Sequence, residues 1–129
     1  MAKIMVSGAA GRMGRRIISV IHEHEQTVLS GALEYAGNLL VGQDAGEIAG
    51  VGKVGVPIVG STADLPFADS DVLIEFTTPP ATLANLKIAA EFQVPMVIGT
   101  TGMTVEEREQ VRALAVQIPV VLAPNMSVG

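Results

Sequence analysis

The 129-residue sequence contains no cysteine and no tryptophan, and only 3% of it is aromatic. Without cysteine there is no disulfide framework and no thiolate chemistry, a composition compatible with the reducing cytoplasm, the expected location. Positive charge is also scarce. Eight Lys and Arg against 13 Asp and Glu leave a net charge of −5, which argues against general nucleic-acid binding because a phosphate lattice needs a basic face. No apolar run reaches the roughly 18 residues of a membrane-spanning helix. The N-terminus moves straight toward a strand, without the basic and apolar regions of a signal peptide, so no membrane partner is expected. What remains is aliphatic. Hydrophobic residues make up 49% of the chain, so the core must be Val, Ile, Leu, Ala and Met, and the length suits one domain without metal or disulfide support.

Residues 3–14, KIMVSGAAGRMG, carry the most specific pattern. Ile4, Met5 and Val6 follow one another without alternation, as in a strand buried on both faces of a parallel sheet. Gly8 permits a sharp turn out of that strand, where a side chain would penalise positive φ. Gly11, with the small Ala9 and Ala10, lets backbone N–H groups approach phosphate oxygens, and Gly14 lets the next helix lie close to the strand. That helix is expected to bury Met13, Ile17, Ile18 and Ile21, with Arg15, Arg16, Glu23 and His24 outward. Its free first-turn amides and its dipole attract an anion. Glu34 follows Gly14 by 20 residues, where a carboxylate can bind an adenosine ribose. The spacing departs from G-x-G-x-x-G, with Ala10 in place of the second glycine and a loop one residue longer. Strand, turn, helix and acid together predict a βαβ unit that holds a dinucleotide pyrophosphate. Arg12, inside the turn, is the cation best placed for a phosphate; Arg15 and Arg16 read equally well as solvated helix residues.

Further along, residues 28–34 predict the second strand. Residues 36–60 hold seven of the 14 glycines and read as largely irregular, with a short turn near 44–48 and a short strand near 58. Asp44 and Glu47 there are expected to cap the turn and face water rather than bind metal, since no His or Cys joins them. Residues 71–77 (DVLIEFT) predict a buried strand, and Thr78-Pro79-Pro80 starts a helix with Leu83, Leu86 and Ala90 inward. Residues 95–99 predict the next strand. Thr104 and Glu107 form a capping box for a helix to about 116, with Val111, Leu114 and Ala115 inward. Residues 119–123 predict a last strand. Strands alternating with helices imply an α/β fold: a doubly wound, Rossmann-like parallel sheet with helices on both faces. Ligands bind such sheets beyond the carboxyl ends of the strands.

The strand ends spell a more specific pattern. GAAGRMG at 8–14, FTTP at 76–79, GTTG at 99–102 and NMSVG at 125–129, with AGEIAG at 45–50, closely resemble the dihydrodipicolinate reductases of bacterial lysine and diaminopimelate biosynthesis. The resemblance runs along essentially the whole chain. It implies hydride transfer from NADH or NADPH to the dihydrodipicolinate-level intermediate, giving tetrahydrodipicolinate. Carried over by position, Gly8, Ala9, Ala10, Gly11, Arg12 and Met13 form the pyrophosphate loop and Glu34 the ribose ligand. Gly99, Thr100 and Thr101, with Ala123, Pro124, Asn125 and Met126, form the wall around the nicotinamide, and Thr77 lines the same crevice.

The resemblance also implies that residues 1–129 are the dinucleotide-binding domain alone. Family members are about twice this long, and their second domain carries the histidines and lysine assigned to substrate binding and protonation. No catalytic acid is therefore expected within this chain, and the chain alone is expected to be inactive. The small-molecule substrate would be held by the missing domain, and the full-length protein is expected to be a homo-oligomer. Glu34 is followed by Tyr35, where NADPH-favouring members often carry arginine, so NADH is the expected preference with NADPH still bound. No metal is expected. The alternative is a stand-alone dinucleotide-binding or redox-sensing module without chemistry.

Overall fold

The structure is a computed structural model that describes residues 1–100 and 102–122. Among the described residues six strands form one parallel sheet: β1 (Ala2–Ser7), β2 (Thr27–Leu33), β3 (Ile58–Val59), β4 (Val72–Glu75), β5 (Met96–Ile98) and β6 (Val120–Leu122). Their order across the sheet is β3-β2-β1-β4-β5-β6. The chain builds outward from β1 in one direction, then returns to β4 and builds in the other, so the order reverses between β1 and β4. A crevice opens at the carboxyl ends of the strands at such a reversal.

The helices are α1 (Arg12–Glu23), α2 (Ala45–Ala49), α3 (Pro79–Glu91) and α4 (Val105–Leu114). Side chains along β1 point alternately to the two faces of the sheet, and this divides the core. Ile4 and Val6 pack with Ile18 and Ile21 of α1 and Ala45 of α2, whereas Met5 packs with Leu86 and Ala89 of α3 and Val111 of α4. Both faces are covered, which is why the strand reads as an unbroken apolar run. A side chain such as Leu86, with no exposed surface, contributes on the order of 2–5 kcal/mol by the cost of truncating it to alanine.

Local chemistry sets the ends of the helices. Thr104 accepts from the Glu107 amide while the Glu107 side chain accepts from the Thr104 amide, the reciprocal cap expected from the sequence. Pro79 and Pro80 occupy the first turn of α3, where a missing N–H costs nothing. The predicted extension of α4 to 116 is not realised. The helix ends at Leu114 with Ala115 as its C-cap, and Val116 beyond it is exposed. Among the described residues, strand bounds differ from expectation by one or two residues.

The glycine-rich segment is more ordered than its composition suggests. It forms α2 and β3, and Asp44 organises it. The Asp44 carboxylate accepts from the amides of Glu47, Val54, Gly55 and Val56 at 2.7–3.1 Å. This bears out the capping role expected for Asp44 and extends it. Two single 3-10 turns, Thr62–Asp64 and Phe67–Asp69, link β3 to β4 and were not anticipated.

Candidate functional site

The crevice between β1 and β4 holds a cavity of about 460 Å³. One wall is the glycine turn, with Gly8 and Gly11; a second is the end of β2, with Leu33, Glu34 and Tyr35. The third comprises Phe76, Thr77 and Thr78 after β4 together with Ala81, Ala84 and Asn85 of α3. Gly60 and Thr62 close the remaining side.

Two close approaches build the turn. Gly8 has φ +85°, and a Cβ there would lie 2.3 Å from the Phe76 carbonyl oxygen. A Cβ on Gly14 would lie 2.0 Å from the Gly8 carbonyl oxygen, so α1 packs against the turn through glycine alone. The turn amides are then distributed. Gly8 and Ala9 donate to the Leu33 carbonyl, and Gly11 donates to the Gly8 carbonyl. Ala10 donates to Glu34 Oε2 at 2.7 Å. The N-cap, Gly11, has no side chain to cap the helix, and the first turn of α1 carries no acid. Its first amides are left for an external anion, which the helix dipole also favours.

The predicted site residues separate into groups. Gly8, Gly11, Glu34 and Thr77 meet in the cavity wall. Ala9 is fully buried beneath the turn, Ala10 is half-buried, and Met13 is half-buried on α1. Arg12 is exposed as the first residue of α1 and lines a shallow groove between α1 and α2 with Arg15 and Arg16. Gly99 and Thr100 lie one layer behind the cavity. A Cβ on Gly99 would strike the Phe76 ring at 2.2 Å, and Thr100 Oγ1 accepts from the Thr77 amide at 3.2 Å. Thr101, Ala123, Pro124, Asn125 and Met126 lie outside the described residues.

Sequence reasoning missed a polar network beneath the cavity. Glu75, at the end of β4, has no exposed surface. Its carboxyl accepts from the Thr77 hydroxyl through Oε1 and from Asn85 Nδ2 through Oε2. Asn85 Nδ2 also donates to Ser7 Oγ at 3.2 Å, and Asn85 Oδ1 accepts from the Thr62 hydroxyl. Burial pushes the Glu75 carboxyl above its ordinary range, against the opposing pull of hydrogen bonds from Asn85, Thr77, Thr82 and Ser7. An acid inside the apolar run DVLIEFT was the signal available in the sequence. Among the described residues no group of three His, Cys, Asp or Glu could hold a metal ion. No helix among them is long and apolar enough to cross a membrane.

A family model described as dihydrodipicolinate reductase, N-terminus, matches residues 2–126. The chain belongs to that family. A 4-hydroxy-tetrahydrodipicolinate reductase of Geotalea uraniireducens (strain Rf4) is 54% identical over 129 residues, all of this chain and 48% of the relative. One from Magnetococcus marinus is 49% identical over 127 residues, 98% of this chain and 47% of the relative. The solved structure of a dipicolinate-bound dihydrodipicolinate reductase from Paenisporosarcina sp. TG-14 superposes with a TM-score of 0.76 at 24% identity. It covers 99% of this chain and 49% of that one, and supports the fold. The chain thus spans about half the length of the curated relatives it matches and corresponds to their N-terminal, dinucleotide-binding domain.

Proposed function

We propose that the chain is the cofactor-binding half of a reductase that transfers hydride from NADH, or less favourably NADPH, to the dihydrodipicolinate-level intermediate. The substrate and the groups that hold and protonate it belong to the other half of the protein. The observation that carries the cofactor assignment is the pairing of an uncapped helix N-terminus with Glu34 across one cavity. The diphosphate would sit on the first amides of α1, with the Gly8–Met13 turn beneath it. The adenosine would occupy the cavity, its base against the apolar surfaces of Ala81, Ala84 and Tyr35 and its ribose hydroxyls on Glu34. Oε2 of Glu34 already holds the Ala10 amide, and Oε1 is left for the ribose.

The preference for NADH follows from charge. Among the described residues the cavity lining carries a carboxylate and no Lys or Arg. A ribose hydroxyl donating to a carboxylate is favourable by about 1.5–3 kcal/mol. A 2′-phosphate at the same place would be repelled, by about 4 kcal/mol per charge pair at about 4 Å and an effective dielectric of about 20. Arg12 at the start of α1 offsets part of this. Thr77, Gly99, Thr100 and Thr101, with residues 123–126, are proposed to support or line the nicotinamide end.

In this reading the protein supplies orientation and electrostatics, and the cofactor supplies the hydride. The chain has no tryptophan, so NADH emission can be followed against little protein background. The test is an NADH titration followed by an assay with the synthase product. Saturable NADH binding without turnover by the 129 residues alone is the expected result, and turnover by this piece would overturn the division of labour.

A further inference from the structure

Glu75 is a buried acid directly behind the cavity wall, and the cofactor reading gives it no role. We propose that Glu75 is a positioning residue for the dinucleotide: a proton on its carboxyl frees the Thr77 hydroxyl to donate into the cavity, so that cofactor binding takes up a proton there. This inference rests on the cofactor reading above.

The hydrogen-bond directions carry the argument. Glu75 Oε1 is engaged by the Thr77 hydroxyl and Oε2 by Asn85 Nδ2. Asn85 is held in one orientation from both ends, since its Oδ1 accepts from Thr62 while its Nδ2 donates to Ser7 and Glu75. It therefore cannot accept a proton from Glu75 without breaking those bonds. Thr77 can, as can the Ser7 and Thr82 hydroxyls, because a hydroxyl both donates and accepts; Thr77 is the hydroxyl bonded to Oε1. When Glu75 is ionised, the Thr77 hydrogen points inward to Oε1 and only lone pairs face the cavity. When Glu75 is protonated on Oε1, it donates to Thr77 Oγ1, and the Thr77 hydrogen turns outward. Thr77 lines the cavity, so an acceptor oxygen of the bound dinucleotide would receive that hydrogen. One proton moves from solvent to Glu75, and none is transferred to the ligand.

The surroundings favour this switch. On β1 the neighbour in register is Ser7, and on β5 it is Ile98. On α3 the facing residues are Thr82 and Asn85, while Lys87 and Glu91 are exposed. Lys3, the cation of β1, lies exposed near the opposite end of its strand. Glu34 across the cavity is a second carboxyl rather than a counter-ion. Among the described residues no cation therefore faces Glu75, and an anionic ligand nearby disfavours its ionised form further.

The experiment is calorimetric titration of NADH into the full chain from pH 5 to 9, in two buffers of different ionisation enthalpy at each pH. The expected result is net proton uptake on binding, with the Kd rising with pH by up to about tenfold per unit above the Glu75 transition. Glu75→Gln, an uncharged isostere that can donate to Thr77, should keep the low-pH affinity and lose both the uptake and the pH dependence. Thr77→Val should bind more weakly, also without uptake. Binding by the unsubstituted chain without uptake at any pH would overturn this inference alone. Undiminished uptake in Glu75→Gln would do the same. Absence of NADH binding throughout would overturn the cofactor reading and this inference with it.

Discussion

The Ala10 amide donates to Glu34 Oε2 at 2.7 Å, joining two residues 24 positions apart. The carboxylate proposed to meet a ribose therefore also fixes the glycine turn proposed to meet the phosphates. Replacing Glu34 by alanine should cost roughly 1–2 kcal/mol of stability, as expected for a hydrogen bond with one charged partner in a half-exposed site. Urea unfolding measures that loss, and faster exchange of the Ala10 amide would locate it.

Gly11 and Gly14 should separate folding from binding. A Cβ on Gly14 would lie 2.0 Å from the Gly8 carbonyl oxygen, within rigid backbone. Gly14→Ala should therefore destabilise by about 1–3 kcal/mol or more as α1 is pushed from the turn. A Cβ on Gly11 would lie 3.3 Å from the same oxygen, a contact that a small shift relieves. Gly11→Ala should keep a thermal midpoint close to that of the unsubstituted chain but bind NADH poorly, because the methyl group would stand at the proposed phosphate approach. Thermal melts and NADH emission titrations on both variants check the contrast.

Asp44 should give the glycine-rich segment an acid-sensitive anchor. The Val54 amide is the leading cause that holds its carboxyl below the ordinary value of 3.8, with the Glu47, Gly55 and Val56 amides adding to it against a smaller opposing effect of desolvation. A carboxyl lowered in the folded state stabilises it above the unfolded pKa, and that stability is lost as pH falls through the folded value. Asp44→Asn should speed amide exchange at Val54, Gly55 and Val56 while sparing β1, which hydrogen-exchange measurements resolve residue by residue.

Glu75 should have the opposite sign. Burial raises its carboxyl above the ordinary value of 4.5. The folded state then holds more protons than the unfolded state across the window above that value. Stability should fall as pH rises through the folded transition. Glu75→Gln should flatten this slope and be the more stable form at pH above the folded transition. Urea midpoints measured across the range test it, and an unchanged slope in the variant would contradict it.

What could be read from the sequence was what local chemistry decides. The unbroken run Ile4-Met5-Val6, the Thr104–Glu107 box and the proline start of α3 each state their structure within a few residues. Glu34 was legible because a βαβ unit fixes its distance from the turn. Glu75 was not, because its meaning depends on Asn85 in the following helix and on Ser7, which is 78 positions from Asn85. The sequence marks Asp44 as a turn cap. Its bonds to residues 54–56 form only when the segment folds back, so three of its four partners were invisible. Gly99 and Thr100 were expected at the crevice wall. Their place behind Phe76 and Thr77 depends on the direction of one aromatic ring, which no spacing rule supplies.

The most direct test of the central claim is a pair of Kd values, for NADH and NADPH, on the unsubstituted chain and on Glu34→Gln. The account predicts that the unsubstituted chain binds NADH about tenfold or more tightly than NADPH, since about 1.4 kcal/mol suffices for that ratio. It also predicts that Glu34→Gln lowers the ratio toward one by weakening NADH and relieving NADPH. Tenfold tighter binding of NADPH by the unsubstituted chain, or a ratio unmoved by the substitution, would contradict the placement of the adenosine ribose on Glu34.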